Sequence, residues 1–451
     1  MTYLLLTLFS LAFAHFAWTN FRLATGLFII ALPAYLIRLR LGPLPSTILE
    51  VMFGILFLIW IIKFARADWP HIKSTITNHK YFFISLLLFF LTSIASIFIS
   101  DMWYYSLGQW RAYFLEPTLV FVMLVGRIAP QASSPTPTPP KRGMLTPSDL
   151  IWFLALSTVS INIFGILQYF TGWHIGNVDW IAIQTHRVTS FFLSPNAVGL
   201  YLGPIVMLLL GVIASEVRAS RSPSLQTSHN KGITTSPSFL GLLVMTLLAV
   251  ATLLLTKSLG ALVAVAVGTL LFLFLIGRKK TALVGVFIGI CLVLSTYRLG
   301  LLQNKSQSSA NRLTLWTYTE TFLSKSPKNF VFGAGIGQFF RKIQKPYYNV
   351  REMERLIYPH NIFLNFWTEI GLIGMLSFFA MYYWLLAIGW RIYKHSNKIL
   401  GASLLAALVV FLVHGLIDVP YFKNDLAILF WILAACVIAS EPPGERRNPL
   451  T

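Results

Sequence analysis

The chain has 451 residues, of which 56% are hydrophobic and only 11% charged, with a mean hydropathy of +0.71. A soluble domain carries about 25% charged residues, so this composition excludes a soluble globular protein and points to an integral membrane protein. The formal charge of +20 reads as positive loops that set orientation and touch lipid, rather than as a nucleic-acid surface.

Apolar runs of about 20 residues recur from end to end, which predicts helices and not a barrel. Candidate spans cover 3–19, 23–40, 46–63, 81–100, 110–127, 149–171, 190–214, 238–256, 258–277, 281–297, 361–390, 398–417 and 426–440. That makes 13 spans, or 12 if the first two form one broken or re-entrant element around Pro33. The first span includes Ala12-Phe13-Ala14, which is similar to a signal-peptidase site. No basic stretch precedes it, so a membrane segment is expected there rather than a cleaved signal. Cys291 and Cys436 both lie in apolar runs and predict neither a disulfide nor a metal site.

Short-loop charge sets the orientation. Arg278-Lys279-Lys280, the Arg391/Lys394/Lys398 group, the Lys63-to-Lys80 connection and the segments with Lys141-Arg142 and Arg218/Arg221 fall on one side by alternation, taken as cytoplasmic. Segments 130–148 and 219–238 on that side are rich in Pro, Ser and Thr and read as disordered connectors. No internal repeat is visible, which weighs against a transporter made of two similar halves.

The opposite side receives the 101–110 connection, 172–189, the turn near Lys257, the Asp418–Asp425 turn and a large loop, 298–360. That loop is strongly basic, against the usual bias, and calls for an anionic ligand. Within it, Leu315, Trp316, Thr319, Phe322 and Leu323 share one face of a predicted helix from about 311 to 323, followed by Pro327. Arg312 lies four residues before Trp316 and presents a fork suited to phosphate oxygens; an interfacial Arg touching lipid phosphate is the plain alternative. The Gly333-Ala334-Gly335-Ile336-Gly337 run reads as a packing turn, not a phosphate cradle.

At the seam where this loop meets the next apolar run stands Tyr358-Pro359-His360-Asn361. Taken alone, His360 reads equally as an interfacial side chain at a helix start and as a titrating group of a site. Arg187, preceded by His174, Asp179 and His186 and followed by Ser194-Pro195-Asn196, occupies a similar outer position. Two arginines beside similar Pro/Asn turns make a plausible diphosphate site. Lys257-Ser258 reads as an outer turn, and Arg111 with Glu116 as an intrahelical pair. Glu369 is expected either to meet a cation or to hold the site. His414 and Asp418, four apart, are expected to share a helix face and hydrogen-bond, mainly as a structural pair. No His/acid spacing suits a metal.

Arg312-xxx-Trp316, Gly333-Ala334-Gly335, Pro359-His360-Asn361 and Glu369-Ile370-Gly371-Leu372-Ile373-Gly374, in that order, resemble the O-antigen ligase/polymerase-like family. Arg187 with Pro195-Asn196, and His414 with Asp418-Val419-Pro420, are similar to its flanking motifs. The resemblance is strongest from 185 to 420. It implies an all-α polytopic membrane protein of GT-C-like type, one domain over 1–451, with about 12–13 transmembrane helices and short helices in the extracytoplasmic loop. The implied activity is metal-independent, cofactor-free transfer of a glycan from a polyprenyl-diphosphate carrier to an acceptor hydroxyl. It would take place at the periplasmic or external face of the cytoplasmic membrane. Carried onto this chain, His360 is the catalytic histidine, Arg187 and Arg312 hold the diphosphate, and Asn361, Glu369, His414 and Asp418 support them. The acceptor would be a glycolipid, a polysaccharide or a protein. Repeat-unit polymerisation is the alternative within the family; a lipid-linked-glycan flippase is the alternative from another class.

Overall fold

The structure is a computed structural model that describes residues 2–41, 44–129, 144–181, 186–220, 237–286, 303–347 and 356–441. Its N-terminal part is α1 (Thr2–Thr19), α2 (Phe21–Ile30), a 3₁₀ turn (Leu32–Leu36), a hairpin of β1 (Arg38–Leu41) and β2 (Leu44–Thr47), and α3 (Ile48–Lys63). The second predicted span is therefore not a continuous helix. Pro33 supplies no amide to an α-helix, and the chain turns into an antiparallel pair with Arg38 opposite Thr47. Thr47 and Glu50 then form a reciprocal capping box that starts α3.

The connection expected between Lys63 and Lys80 is itself a helix, α4 (Ala65–Asn78), set at 94° to α3. Next come α5 (Lys80–Ile99), α6 (Trp103–Trp110) and α7 (Glu116–Arg127); a π-turn at Arg111–Leu115 joins the last two. Arg111 pairs with Glu116 at 3.2 Å, as its spacing suggests, and more closely with Glu50 at 2.6 Å.

Then follow α8 (Pro147–Thr171), the one-turn α9 (Val178–Ile181), α10 (Pro195–Ser220), α11 (Pro237–Leu255) and α12 (Leu259–Leu275). The span expected at 281–297 is described only to residue 286, and the two predicted connectors fall largely outside the described residues.

The described part of the basic loop contains two helices, α13 (Gln303–Ser324) and α14 (Pro327–Phe332). Pro327 does not merely follow a helix end; it opens the next helix, capped by Ser326. Leu315, Phe322 and Leu323 of α13 bury against Ala334, Phe339 and Ile343, so this segment has a small core of its own. The chain closes with α15 (Ile362–His395), α16 (Lys398–Gly415) and α17 (Asn424–Ala439).

Five described helices, α5, α8, α10, α15 and α16, are long and apolar enough to cross a bilayer; the bent pair α3 and α4 makes a sixth if it is one span. Shorter apolar helices, among them α12 and α17, pack with them. The protein is an all-α polytopic membrane protein. Residues 424–438 of α17 are buried on every face, which explains why its sequence is apolar all round and not striped.

α15 is broken at Gly371, whose φ of 78° and ψ of 174° belong to glycine almost alone. The break has a consequence. A helical Thr368 carbonyl would bond to residue 372, but here it accepts the amides of Ala334 at 2.7 Å and Gly335 at 3.2 Å. Glu369 accepts Gly337 N–H at 2.7 Å. The glycine run is thus a turn packed onto the broken helix, with its amides used by protein groups.

Candidate active site

Five segments meet at one end of the helices. The first is 358–361. Trp316 of α13 donates its indole N–H to the carbonyl of Pro359 at 2.9 Å. Asn361 caps α15, accepting the amides of Phe363 and Leu364 at 3.0 Å each, while its own amide donates to Leu416 O at 3.0 Å. His360 is held between these anchors in the left-handed region, φ 53°, which a non-glycine residue keeps only when its surroundings impose it. The ring of Tyr358 meets the imidazole edge-on with 4.9 Å between centroids.

The imidazole Nδ1 faces Asp418 Oδ1 at 3.3 Å. The same oxygen accepts Val419 N–H at 2.8 Å, and Oδ2 accepts the amide of Asn196 at 3.0 Å. Burial alone would raise the Asp418 carboxyl. The bond from His360 and the electrostatic influence of His360, His414 and Lys423 prevail and hold it well below the usual carboxylate range. Asp418 is therefore an anion at neutral pH.

Beyond Asn196 lie Arg187 and the turn between α11 and α12. Asn196 Oδ1 accepts Ser258 Oγ–H at 2.8 Å and an Arg187 N–H at 3.5 Å. Arg187 Nε donates to the carbonyl of Thr256 at 2.9 Å. Burial first, and the charge of Arg312 second, lower the pKa of Arg187, which places two guanidinium groups within electrostatic reach of each other. Among the described residues neither forms an ion pair with a carboxylate.

Of the residues named from sequence, His360, Asn361, Asp418, Arg187 and Arg312 come together here. His414 adjoins them in a different way from its expected pairing. Its ring packs against Gly199 and Gly260, its Nδ1 is buried with no hydrogen-bond partner among the described residues, and the hydrogen bond it shares with Asp418 is a backbone one, Asp418 N–H to His414 O at 3.0 Å. The expected side-chain pair does not form because α16 ends at Gly415, so the four-residue spacing no longer puts the two side chains on one helix face. Glu369 meets no cation among the described residues and instead anchors the Gly337 turn. Asn196 and Ser258 were read from sequence only as parts of turns; their polar side chains beside a Pro and a Lys at span ends were the available signal. No group of three or more His, Cys, Asp or Glu side chains among the described residues is arranged to hold a metal ion.

Residues 244–379 match the family model described as O-antigen ligase. The chain carries an O-antigen ligase domain. No curated protein matches the chain at a significant level. The matched stretch includes Ser258, Arg312, Trp316, the glycine turn, His360 and Asn361, whereas Arg187, Asn196, His414 and Asp418 lie outside it. The match, on a chain whose apolar helices make it a multi-pass membrane protein, points to an enzyme of the O-antigen ligase/polymerase type.

Proposed function

We propose that the protein transfers a glycan from a polyprenyl-diphosphate carrier to an acceptor hydroxyl at the outer face of the cytoplasmic membrane. The observation that carries this reading is the bond from His360 to the anionic Asp418, in the same network as Arg187 and beside Arg312.

A carboxylate can only accept, so Asp418 favours the tautomer with the proton on Nδ1 and leaves Nε2 of His360 as a base. Nε2 takes the proton of the acceptor hydroxyl as its oxygen bonds to the anomeric carbon. The bond from that carbon to the phosphate oxygen breaks, and the diphosphate leaves with the electron pair. Its growing negative charge falls to Arg187, partly desolvated already, and Arg312, neither of them spent on a carboxylate among the described residues. A single displacement of this kind inverts the anomeric centre. Polymerisation of repeat units would use the same donor arm and differ only in the acceptor.

Reconstitution in lipid with a polyprenyl-diphosphate glycan and candidate acceptors, glycolipid, polysaccharide or protein, tests the reading. Released polyprenyl diphosphate together with an inverted glycosidic product supports it; retention of the donor's anomeric configuration rules out direct displacement.

A further inference from the structure

Asp418 and Arg187 carry opposite charges within one partly buried network, yet no ion pair joins them; Asn196 lies between them. A carboxylate only accepts hydrogen bonds and a guanidinium only donates them. A primary amide is the side chain that can offer a donor to the first and an acceptor to the second at once. The orientation of Asn196 is therefore fixed from both ends, with Nδ2 toward Asp418 at 3.0 Å and Oδ1 toward Arg187 at 3.5 Å. Ser258 pins the same oxygen at 2.8 Å. The Thr256–Ser258 turn thus holds the arginine through a carbonyl and the asparagine through a hydroxyl, with Lys257 strained at φ 49° between them.

We propose that Asn196 is a positioning residue that insulates Arg187 from Asp418, so that the arginine stays free for an anionic ligand and the carboxylate stays committed to His360. This rests on the transfer reading above for the identity of the ligand, a diphosphate. Without the spacer, the guanidinium and carboxylate would pair in a low-dielectric site and neutralise one another. Ser258 acts through Asn196 by preventing rotation of the amide.

Asn196→Asp is the discriminating substitution, being nearly isosteric. It gives Arg187 a carboxylate partner and puts a second negative charge beside Asp418. Two readouts on purified full-length protein decide the matter: equilibrium binding of farnesyl diphosphate, and the NMR signals of labelled histidine at fixed pH, with His360→Gln to assign that of His360. The expected result for Asn196→Asp is affinity lower by about tenfold or more and a displaced His360 signal, because Asp418 loses the amide donor that holds it toward His360. Ser258→Ala covers the case in which Asn196→Asp fails to fold, and is expected to weaken binding by about threefold or more. Wild-type affinity in either folded variant, or an unmoved His360 signal in Asn196→Asp, would overturn the proposal, as would absence of farnesyl diphosphate binding by the wild type. Binding without turnover of any lipid-linked glycan would sink the transfer reading alone and leave the spacer role standing.

Discussion

Asp418 turns away from His414, its neighbour one turn back, and accepts instead from His360, 58 residues earlier in the chain, at 3.3 Å. The choice makes chemical sense of both histidines. His360 gains an anionic partner on Nδ1 and keeps Nε2 for an acceptor, whereas His414 fills a slot between two glycines.

Asp418→Ala removes the partner that orients His360. Turnover is expected to fall by about 10²–10⁴-fold, while farnesyl diphosphate binding, which the proposed mechanism assigns to Arg187 and Arg312, is retained. Single-turnover rates set beside a binding isotherm check this; equal loss of both would show that Asp418 merely holds the fold.

The low pKa of Asp418 also has a stability consequence. A folded carboxyl below its unfolded value of about 3.9 contributes stability that is present above that value and lost as pH falls through the folded pKa. Thermal melting of the wild type is therefore expected to weaken progressively below about pH 4. Asp418→Asn should show a shallower fall over the same window. Parallel melting curves for the two proteins across pH 2 to 5, as about the accessible range, would contradict the assignment.

Arg312 makes no ion pair among the described residues, so its replacement disturbs little of the fold. Arg312→Lys keeps the charge and loses the fork; Arg312→Ala loses both. Donor kcat/KM is expected to fall in that order, by about 10-fold and 10²-fold or more, with melting nearly unchanged. Kinetics at varied donor concentration provide the check.

Gly371→Ala tests the break in α15. Its backbone lies in a region closed to other residues, and an added Cβ would press on the backbone of Val331 and Phe332. A cost of about 1–3 kcal/mol from backbone strain alone should appear as a lower Tm and poor yield. Gly54→Ala in α3, where a Cβ meets nothing within 4 Å, should melt like the wild type.

The long apolar helices were legible in the sequence because desolvation of the backbone leaves the chain few options in lipid. The seam at His360 and the two arginines stood out as polar groups at span ends. What escaped was set by long-range contact. The bond from Asn196 to Asp418 joins residues 222 apart, and that from Ser258 to Asn196 spans 62; no local period encodes either. The His414–Asp418 pairing failed because it assumed a helix that stops at Gly415. The β1–β2 hairpin and the 94° bend after α3 arise inside stretches whose composition is as apolar or as basic as their neighbours.

The most direct measurement is single-turnover release of polyprenyl diphosphate by reconstituted wild type and His360→Ala, with a saturating acceptor. If His360 is the base, the variant binds donor normally and releases diphosphate about 10²–10⁴-fold more slowly. A His360→Ala protein that turns over at the wild-type rate would contradict the account.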